Sequence, residues 1–269
     1  MPIESIMKSS AHILIVRFLG AAFIASAMTA RADSLTLNAA NDTTLFETSA
    51  GNNLGGTTNF IAGNTAAGAR NRALLRFDIA AQIPVNATIN SVSLSLVDSS
   101  GSGSFAASTF SLYRVLGNWG EGTKTGNSGQ AATAGEATWI YRSATNLTWS
   151  APGAAAGGDY VPTASATNFI SVGGVTNVWN STPALVNDVQ TWLGDSGTNF
   201  GWILISDGEG VLQSARRFAS RENLLGRGPK LMVDFTPAAV PEPGALLLTG
   251  LGGVLVLLAR VRRSRHSPK

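Results

Sequence analysis

The stretch that decides the fold is Arg72-Ala-Leu-Leu-Arg-Phe-Asp78, together with the Ile79 that follows it. Its second half alternates between apolar and polar side chains: Leu75, Phe77 and Ile79 against Arg76 and Asp78. A period of two residues puts one set of side chains on each face of an extended strand. The pattern therefore predicts an antiparallel strand with one face on a core and the other face in water.

The same alternation recurs along the chain. Apolar residues alternate with polar ones or with methionine in two further segments, 91–96 and 231–235. The segments 110–115 and 202–205 are also strand-like, and the second is apolar on both faces, which predicts a central strand. Because turn residues separate these segments and helical periodicity is rare, the chain is predicted to form an all-β antiparallel sandwich.

One segment has the period of a helix. Thr182 is a natural N-cap, and Pro183 suits the first helical position. Apolar side chains then recur at three- and four-residue spacing until Gly194: Leu185, Val186, Val189, Trp192 and Leu193. This spacing predicts a short amphipathic helix that lies across the sandwich.

The N-terminus has the organisation of an export signal. Lys8 and Arg17 precede an apolar run, 18–27, and Ala30-Arg31-Ala32 has the small-x-small pattern of a signal-peptidase site. Residues 1–32 are therefore predicted to be a signal peptide, processed by signal peptidase after export through the Sec pathway.

The C-terminal tail, 237–269, combines three parts. Val240-Pro241-Glu242-Pro243 precedes an uncharged run, 245–259, and four arginines follow: Arg260, Arg262, Arg263 and Arg265. Fifteen helical residues would cover roughly 23 Å, which is short against a hydrocarbon core of about 30 Å. The arginines would hold that end on the cytoplasmic side of the membrane.

The order of these parts resembles the PEP-CTERM sorting signal. The resemblance implies that a membrane-embedded exosortase reads the tail and cuts near the Pro-Glu-Pro, so the tail helix contacts the membrane at least transiently. It also implies a secreted or cell-surface location, beyond the inner membrane of a Gram-negative bacterium. The alternatives are an ordinary C-terminal anchor and a buried core helix, which would not be followed at once by four arginines.

The charge balance changes once these segments are set aside. The chain has 19 Lys and Arg, of which three precede residue 33 and five follow residue 259, leaving 11 in the body, 33–236. Of the 16 acids, only Glu4 and Glu242 lie outside the body, leaving 14. The body is therefore near −3, although the whole chain has a pI near 9.6. Nucleic-acid binding loses its main support, and no nucleic-acid partner is predicted.

Several short sequence motifs of the body occur in the same order as in one known protein family. They are Asn41-Asp-Thr-Thr-Leu45, Asn53-Leu-Gly-Gly56, Arg72-Ala-Leu-Leu-Arg-Phe-Asp78, Trp119-Gly-Glu-Gly122, Asn199-Phe-Gly-Trp202 and Phe218-Ala-Ser-Arg-Glu222. Residues 33–236 resemble the DNRLRE-type domain, which is grouped with carbohydrate-binding modules. The resemblance implies a jelly-roll-like β-sandwich on extracellular proteins, with binding to acidic polysaccharide in some members. The long segment 126–156 departs from the compact family pattern.

Composition restricts the chemistry that the body can perform. The chain has no cysteine, and its two histidines, His12 and His266, lie in the terminal segments. A Ser-His or Cys-His nucleophile and a histidine-bound transition metal are therefore excluded from the body. Glycoside hydrolysis needs only two carboxylates, and candidates exist at Glu121, Glu136, Asp207 and Glu209, but no sequence pattern brings two of them together. The protein is not predicted to be an enzyme.

The one cofactor that the composition favours is a structural calcium ion, because Ca²⁺ takes carboxylate and carbonyl oxygens. Asn41, Asp42, Asp207 and Glu222 lie in or beside predicted turns where such ligands could converge. The competing interpretation is that Asp42 caps a turn and Glu222 pairs with a nearby arginine.

Aromatic and arginine side chains are the candidate ligand-binding groups. Trp119, Trp139, Tyr141 and Trp149 lie in polar, glycine-rich sequence, where an aromatic ring has no obvious core to join. The alternative is that these rings pack beneath long loops. Arg72 and Arg217 could bind the carboxylates of an acidic polysaccharide through paired hydrogen bonds, whereas Arg76 and Arg221 are expected to form internal ion pairs with Asp78 or Glu222.

The sequence thus predicts an exported β-sandwich that binds polysaccharide without catalysis. A structural protein of the envelope or biofilm matrix, without a specific ligand, is the alternative from another class. A glycan-active enzyme is the third interpretation.

Overall fold

The computed structural model of the protein describes residues 31–101 and 105–239. Within these ranges the chain forms 14 strands, one α-helix and three short 3-10 turns. The strands are β1 Asp33–Phe46, β2 Asn52–Asn53, β3 Asn59–Asn64, β4 Arg70–Phe77, β5 Thr88–Val97, β6 Ser108–Arg114, β7 Gln130–Ala131, β8 Tyr141–Ser143, β9 Leu147–Thr148, β10 Ala166–Ile170, β11 Thr176–Trp179, β12 Trp202–Ser206, β13 Arg216–Ala219 and β14 Lys230–Thr236. The helix is α1 Pro183–Gly194, and the 3-10 turns are Glu47–Ser49, Ser196–Thr198 and Asp207–Gly210.

The long strand β1 joins two antiparallel layers. Its first residues, Asp33 to Asn38, pair with β14, and the rest pairs with β4, with a shift in register between Ala39 and Asn41. Such a bulge bends a strand and lets it change layers. The first layer runs β11-β5-β14-β1, and the second runs β1-β4-β12-β6-β10. Strand β3 pairs with β4 and with β13 at the side of the second layer.

The main core lies between the two layers. The first layer contributes residues such as Leu94 and Val233, and the second contributes Leu75, Phe77 and Trp202, all fully buried. The alternating residues predicted to face inward do so, and β12 is central, between β4 and β6. The predicted jelly-roll-like antiparallel β-sandwich with one short helix is confirmed.

The second layer is buried on its outer face as well, which the alternating pattern of 75–79 does not predict. Leu74 and Ile203 point away from the main core and join a second cluster with Trp119, Trp139 and Trp149. These indoles belong to the long segment between β6 and β10, which covers that face with only short strands, β7, β8 and β9. The face expected to be wet is therefore packed against a second, smaller core.

Helix α1 begins and ends where the sequence predicts. The Thr182 hydroxyl accepts a hydrogen bond from Leu185 N, and the helix ends at Gly194. Its apolar side packs into the main core, where the centres of the Trp192 and Trp202 rings lie 4.6 Å apart in an edge-on arrangement.

A single carboxylate on α1 connects three elements. Asp188, only 5% exposed, accepts hydrogen bonds from the Ser165 hydroxyl at 2.5 Å and from the Trp202 indole N–H at 2.8 Å. Its other oxygen lies 3.1 Å from Arg114 Nε. Burial raises the pKa of Asp188, while these donors lower it in part. The carboxylate therefore ties the helix to β6, β12 and the chain before β10.

The strands occupy 33–236, the range predicted for the body. The predicted signal peptide up to residue 30 and the sorting tail from Val240, with Pro241, Glu242, Pro243 and the four arginines, lie outside the described residues. Within 31–101 and 105–239, none of the helices combines the length and the apolar character that a membrane crossing requires.

Replacing Asp188 should cost much of the stability of the sandwich. The Asp188→Ala change leaves the Trp202 indole, the Ser165 hydroxyl and Arg114 without their acceptor, and the expected loss is about 3 kcal/mol. Urea unfolding measures this loss, with Asn187→Ala at the exposed neighbouring position as the control. Equal stability of the two variants would contradict the structural role of this carboxylate.

Candidate functional site

An open groove follows the outer face of the β3–β13 pair. Ile61 of β3 lies directly opposite Arg217 of β13 in this antiparallel pair. Both side chains border two neighbouring cavities, of about 280 Å³ and 400 Å³. The groove is defined as these two cavities and the Ile61–Arg217 pair between them.

The first cavity is lined mainly by hydroxyl and amide side chains. Thr57 and Thr58 come from the turn that leads into β3, and Asn59 is the first residue of β3. Thr125 and Asn127 come from the facing loop. Backbone hydrogen bonds hold these two loops together, since Gly56 N donates to Lys124 O at 2.9 Å.

The second cavity has both polar and aromatic walls. Thr65, Ser99, Ser100 and Gln213 supply polar groups, and the half-buried Phe105 supplies an aromatic ring. The Arg216 guanidinium lies 4.7 Å from the centre of that ring.

Arg216 is a buried structural residue, unlike its neighbour. Its side chain is fully buried, and its guanidinium donates to four carbonyl oxygens, among them Ala106 O at 3.1 Å and Ser214 O at 3.2 Å. Its Nε lies 3.7 Å from Asp98, whose other oxygen accepts from Ser100 N at 2.7 Å. Burial lowers the pKa of Arg216. This network fixes the wall of the second cavity.

Arg217 is the cation of the groove that has no partner among the residues that the structure describes. Its backbone is held, because Arg217 N donates to the Ser100 hydroxyl at 2.8 Å and Arg217 O accepts from Ser99 N at 2.7 Å. Its side chain is exposed, and within 31–101 and 105–239 its guanidinium has neither a hydrogen-bond acceptor nor a carboxylate partner. An anionic ligand in the groove would meet this group first.

The other predicted ligand-binding arginine, Arg72, is fully engaged inside the protein. It forms a paired hydrogen bond with Glu209, at 2.7 Å and 2.9 Å, and donates to Gly153 O and Ala154 O, both at 2.8 Å. Its guanidinium also lies 5.6 Å from the Trp139 ring centre. Burial by itself lowers the pKa of Arg72, but the hydrogen bond and the charge of Glu209 together raise it above its usual value.

Three of the four aromatic residues predicted to bind the ligand lie in the second core. Trp119, Trp139 and Trp149 are 2%, 4% and 4% exposed, and Tyr141 is half-buried in β8. Trp119 donates to Phe200 O at 2.8 Å and Trp149 to Thr138 O at 2.9 Å. The indoles thus pack beneath loops, which is the alternative that the sequence left open; a role in sugar binding stays a prediction.

Three carboxylates converge near Glu121, at the start of the loop that supplies Thr125 and Asn127 to the first cavity. Carboxylate oxygens of Asp42, Glu121 and Glu222 all lie within 4.8 Å of one another. We call these three residues the acidic cluster. Glu121 accepts from Asp42 N at 2.7 Å and from Asn41 Nδ2 at 3.1 Å.

One arginine neutralises part of this charge. Arg221 Nε lies 2.6 Å from Glu121 and 2.9 Å from Glu222, and Arg221 N donates to Asp42 at 2.7 Å. The predicted ion pair of Arg221 with Glu222 is thereby confirmed. Arg76 does not pair with Asp78 in the way expected: it donates to the Asn41 and Asn118 side-chain oxygens and covers the Trp119 ring.

The surroundings of the acidic cluster disfavour the charged form of two of its carboxylates. Burial raises the pKa of Asp42 well above its usual range, and the carboxylates of Glu222 and Glu121 raise it further, against the Arg221 N–H. Burial and then Glu121 also raise the pKa of Glu222. A cation with oxygen ligands would relieve both effects.

The predicted calcium ligands are only partly brought together. Asn41, Asp42 and Glu222 meet at the acidic cluster, which also contains Glu121. Asp207 lies elsewhere, at the 3-10 turn after β12, where it accepts from Thr109 N at 2.7 Å. Calcium binding stays a prediction, and the structure adds Glu121 to the carboxylates that meet at the acidic cluster.

Comparison with known protein families indicates the class of domain to which part of the body is similar. A model of carbohydrate-binding module family 96 matches residues 33–151. The matched part spans β1 to β9 and includes Phe105, Glu121 and the lining of the first cavity except Arg217. Arg217 and Glu222 follow the matched part. The body therefore contains a carbohydrate-binding-module-like domain. No protein in a curated collection matches the chain.

The sequence interpretation missed Phe105 and the Ile61 pairing. Phe105 follows Gly101-Ser-Gly-Ser104, so an aromatic residue in polar, glycine-rich sequence was again the available signal. The position of Ile61 beside Arg217 had no such signal, because 156 residues separate the two paired positions in the chain.

The two candidate arginines should differ sharply in their effect on stability. Arg72→Ala leaves Glu209 and two carbonyl oxygens without their donor in a largely buried position, with an expected loss of about 2–3 kcal/mol. Arg217→Ala removes an exposed side chain without partners and should stay within about 0.5 kcal/mol of the parent. Urea unfolding of both variants measures the difference. Similar losses would mean that Arg217 has a structural role that its exposure does not indicate.

Proposed function

We propose that this protein binds an acidic polysaccharide without catalysis, in the groove along β3 and β13. The observation that carries the proposal is Arg217, an exposed guanidinium without a partner among the described residues, between two open cavities lined with hydroxyl and amide groups. A guanidinium binds carboxylates through paired hydrogen bonds, and hydroxyl and amide groups bind sugar hydroxyls.

The apolar part of the groove suits the same ligand. Ile61 beside Arg217 offers an aliphatic surface, and Phe105 offers an aromatic one. Binding sites commonly combine such apolar walls with a few polar groups that orient the ligand. The match to a carbohydrate-binding module supports this class of ligand.

Export of the protein belongs to the same proposal. The signal segment, 1–32, and the sorting tail, 237–269, support delivery by signal peptidase and exosortase to the cell surface or the extracellular matrix. There, a polysaccharide-binding body between two processed ends would attach to the acidic polymers of the matrix.

Electrophoresis of the purified protein in gels that contain alginate, polygalacturonate or hyaluronan tests the proposal. At least one of these polymers should retard the protein, and Arg217→Ala should abolish most of the retardation. Arg227→Ala, which removes the same charge from an exposed loop position outside the groove, is the matched control.

The outcomes separate the three functional classes. Loss of retardation in both arginine variants would indicate nonspecific charge attraction, and no retardation by any polymer would favour a structural matrix protein. Release of new reducing or unsaturated ends from the polymers would instead identify an enzyme.

We also propose that the acidic cluster binds calcium, which stabilises the loop that forms one wall of the groove. The support is the approach of three carboxylates to within 4.8 Å of one another. The loop connection is direct, because Asn53 Nδ2 donates to Glu121 O at 2.7 Å and Lys124 N donates to Asn53 Oδ1 at 3.3 Å.

Calcium should then raise the melting temperature of the protein. A ligand that binds only the folded state adds about 2.7 kcal/mol at a hundred times its Kd, which corresponds to several degrees in a domain of this size. Thermal unfolding with calcium, magnesium and chelator measures the rise. Glu222→Gln should remove it, while Asp207→Asn, the change at the separated candidate, should keep it; an equal rise in both variants would disprove this site.

A further inference from the structure

The arrangement of the two cavities determines how a polymer could lie in the groove. Ile61 and Arg217 form a directly opposed cross-strand pair, and this one pair borders both cavities. The cavities are therefore immediate neighbours, on opposite sides of a cation and an aliphatic side chain. A ligand bound to Arg217 can extend into either of them.

The walls of the two cavities differ. The first is lined by hydroxyl and amide groups, such as Thr58, and has no aromatic residue. The second contains the Phe105 ring, which is supported on one side by the buried Arg216 guanidinium at 4.7 Å. Because hydrogen bonds to four backbone carbonyls hold Arg216, the ring has a fixed support.

Both cavities are open to solvent rather than enclosed. A site that holds the end of a sugar chain needs a wall that stops the chain beyond its terminal ring. Neither side of the Ile61–Arg217 pair has an enclosed end of this kind among the described residues.

From this geometry we propose that one polysaccharide chain crosses the Ile61–Arg217 pair and occupies both cavities at once. The protein then binds internal stretches of the polymer rather than its ends, with a carboxylate at Arg217 and sugar rings on each side of it. This inference rests on the proposed polysaccharide binding and adds the mode of binding to it.

The test fills each cavity separately at an exposed position. Thr58→Leu enlarges a side chain in the first cavity, and Ala66→Leu does so in the second. Ala67→Leu is the matched control, because it makes the same change at the next exposed position of the same turn, outside the cavity lining. Melting temperatures check that each variant folds.

Binding is measured by calorimetry with oligosaccharides, from the disaccharide to the octasaccharide, prepared from the polymer of the gel panel that retards the protein most. The affinity of the parent should increase with length well beyond the disaccharide. Thr58→Leu and Ala66→Leu should each weaken binding of the octasaccharide about tenfold, the effect of losing one or two good contacts. Ala67→Leu should leave that affinity unchanged.

Three results would overturn the inference, and they distinguish its failure from the failure of the proposed function. If Arg217→Ala abolishes binding but only one of the two cavity variants weakens it, the ligand occupies one cavity, and the proposed function stands without the spanning mode. If affinity is already complete with the disaccharide, the same conclusion follows. If no polymer of the panel binds, the proposed function fails, and the inference fails with it.

Discussion

Strands β4 and β12 bury apolar side chains on both faces, and the rest of the structure depends on this constraint. Leu75 and Trp202 face the main core, while Leu74 and Ile203 face away from it. A layer that is apolar on both sides must be covered on both sides, since each exposed apolar face would cost about 25 cal/mol per Å². The first layer covers one face, and the long segment before β10 covers the other.

This second cover determines which polar groups remain available. It places three indoles over the outer face of the second layer, and arginines of β4 pack against them: Arg72 on Trp139 and Arg76 on Trp119. These guanidinium groups are then used inside the protein, where Glu209 and Asn41 bind them. Arg217 lies on β13, outside the second core, and stays exposed.

The acidic cluster and the groove are mechanically connected. Gly55 passes so close to the Glu121 loop that a Cβ on it would lie 2.0 Å from Glu121 O. The hydroxyl of Ser220, next to Arg221, donates to Thr57 O at 2.6 Å. The acidic cluster and the first cavity are therefore built on the same loops. Ligand binding in the groove and cation binding at the cluster would share this segment of backbone.

The sequence by itself determined the class of fold and the helix, and it predicts export signals at both ends of the chain. Alternation with period two and the Thr182-Pro183 cap are local properties, so neighbouring residues are sufficient to specify them.

Only the tertiary structure decided which arginine is free and which acids meet. Arg72 and Arg217 look alike in sequence, and their difference comes from partners 137 residues away in one case and absent from the described residues in the other. Likewise, Asp42, Glu121 and Glu222 lie in three separate loops and strands, and their approach depends on the pairing of β1 with β4 and on the packing of the cover segment. Local periodicity carries no information about such contacts, because they form only when distant segments pack together.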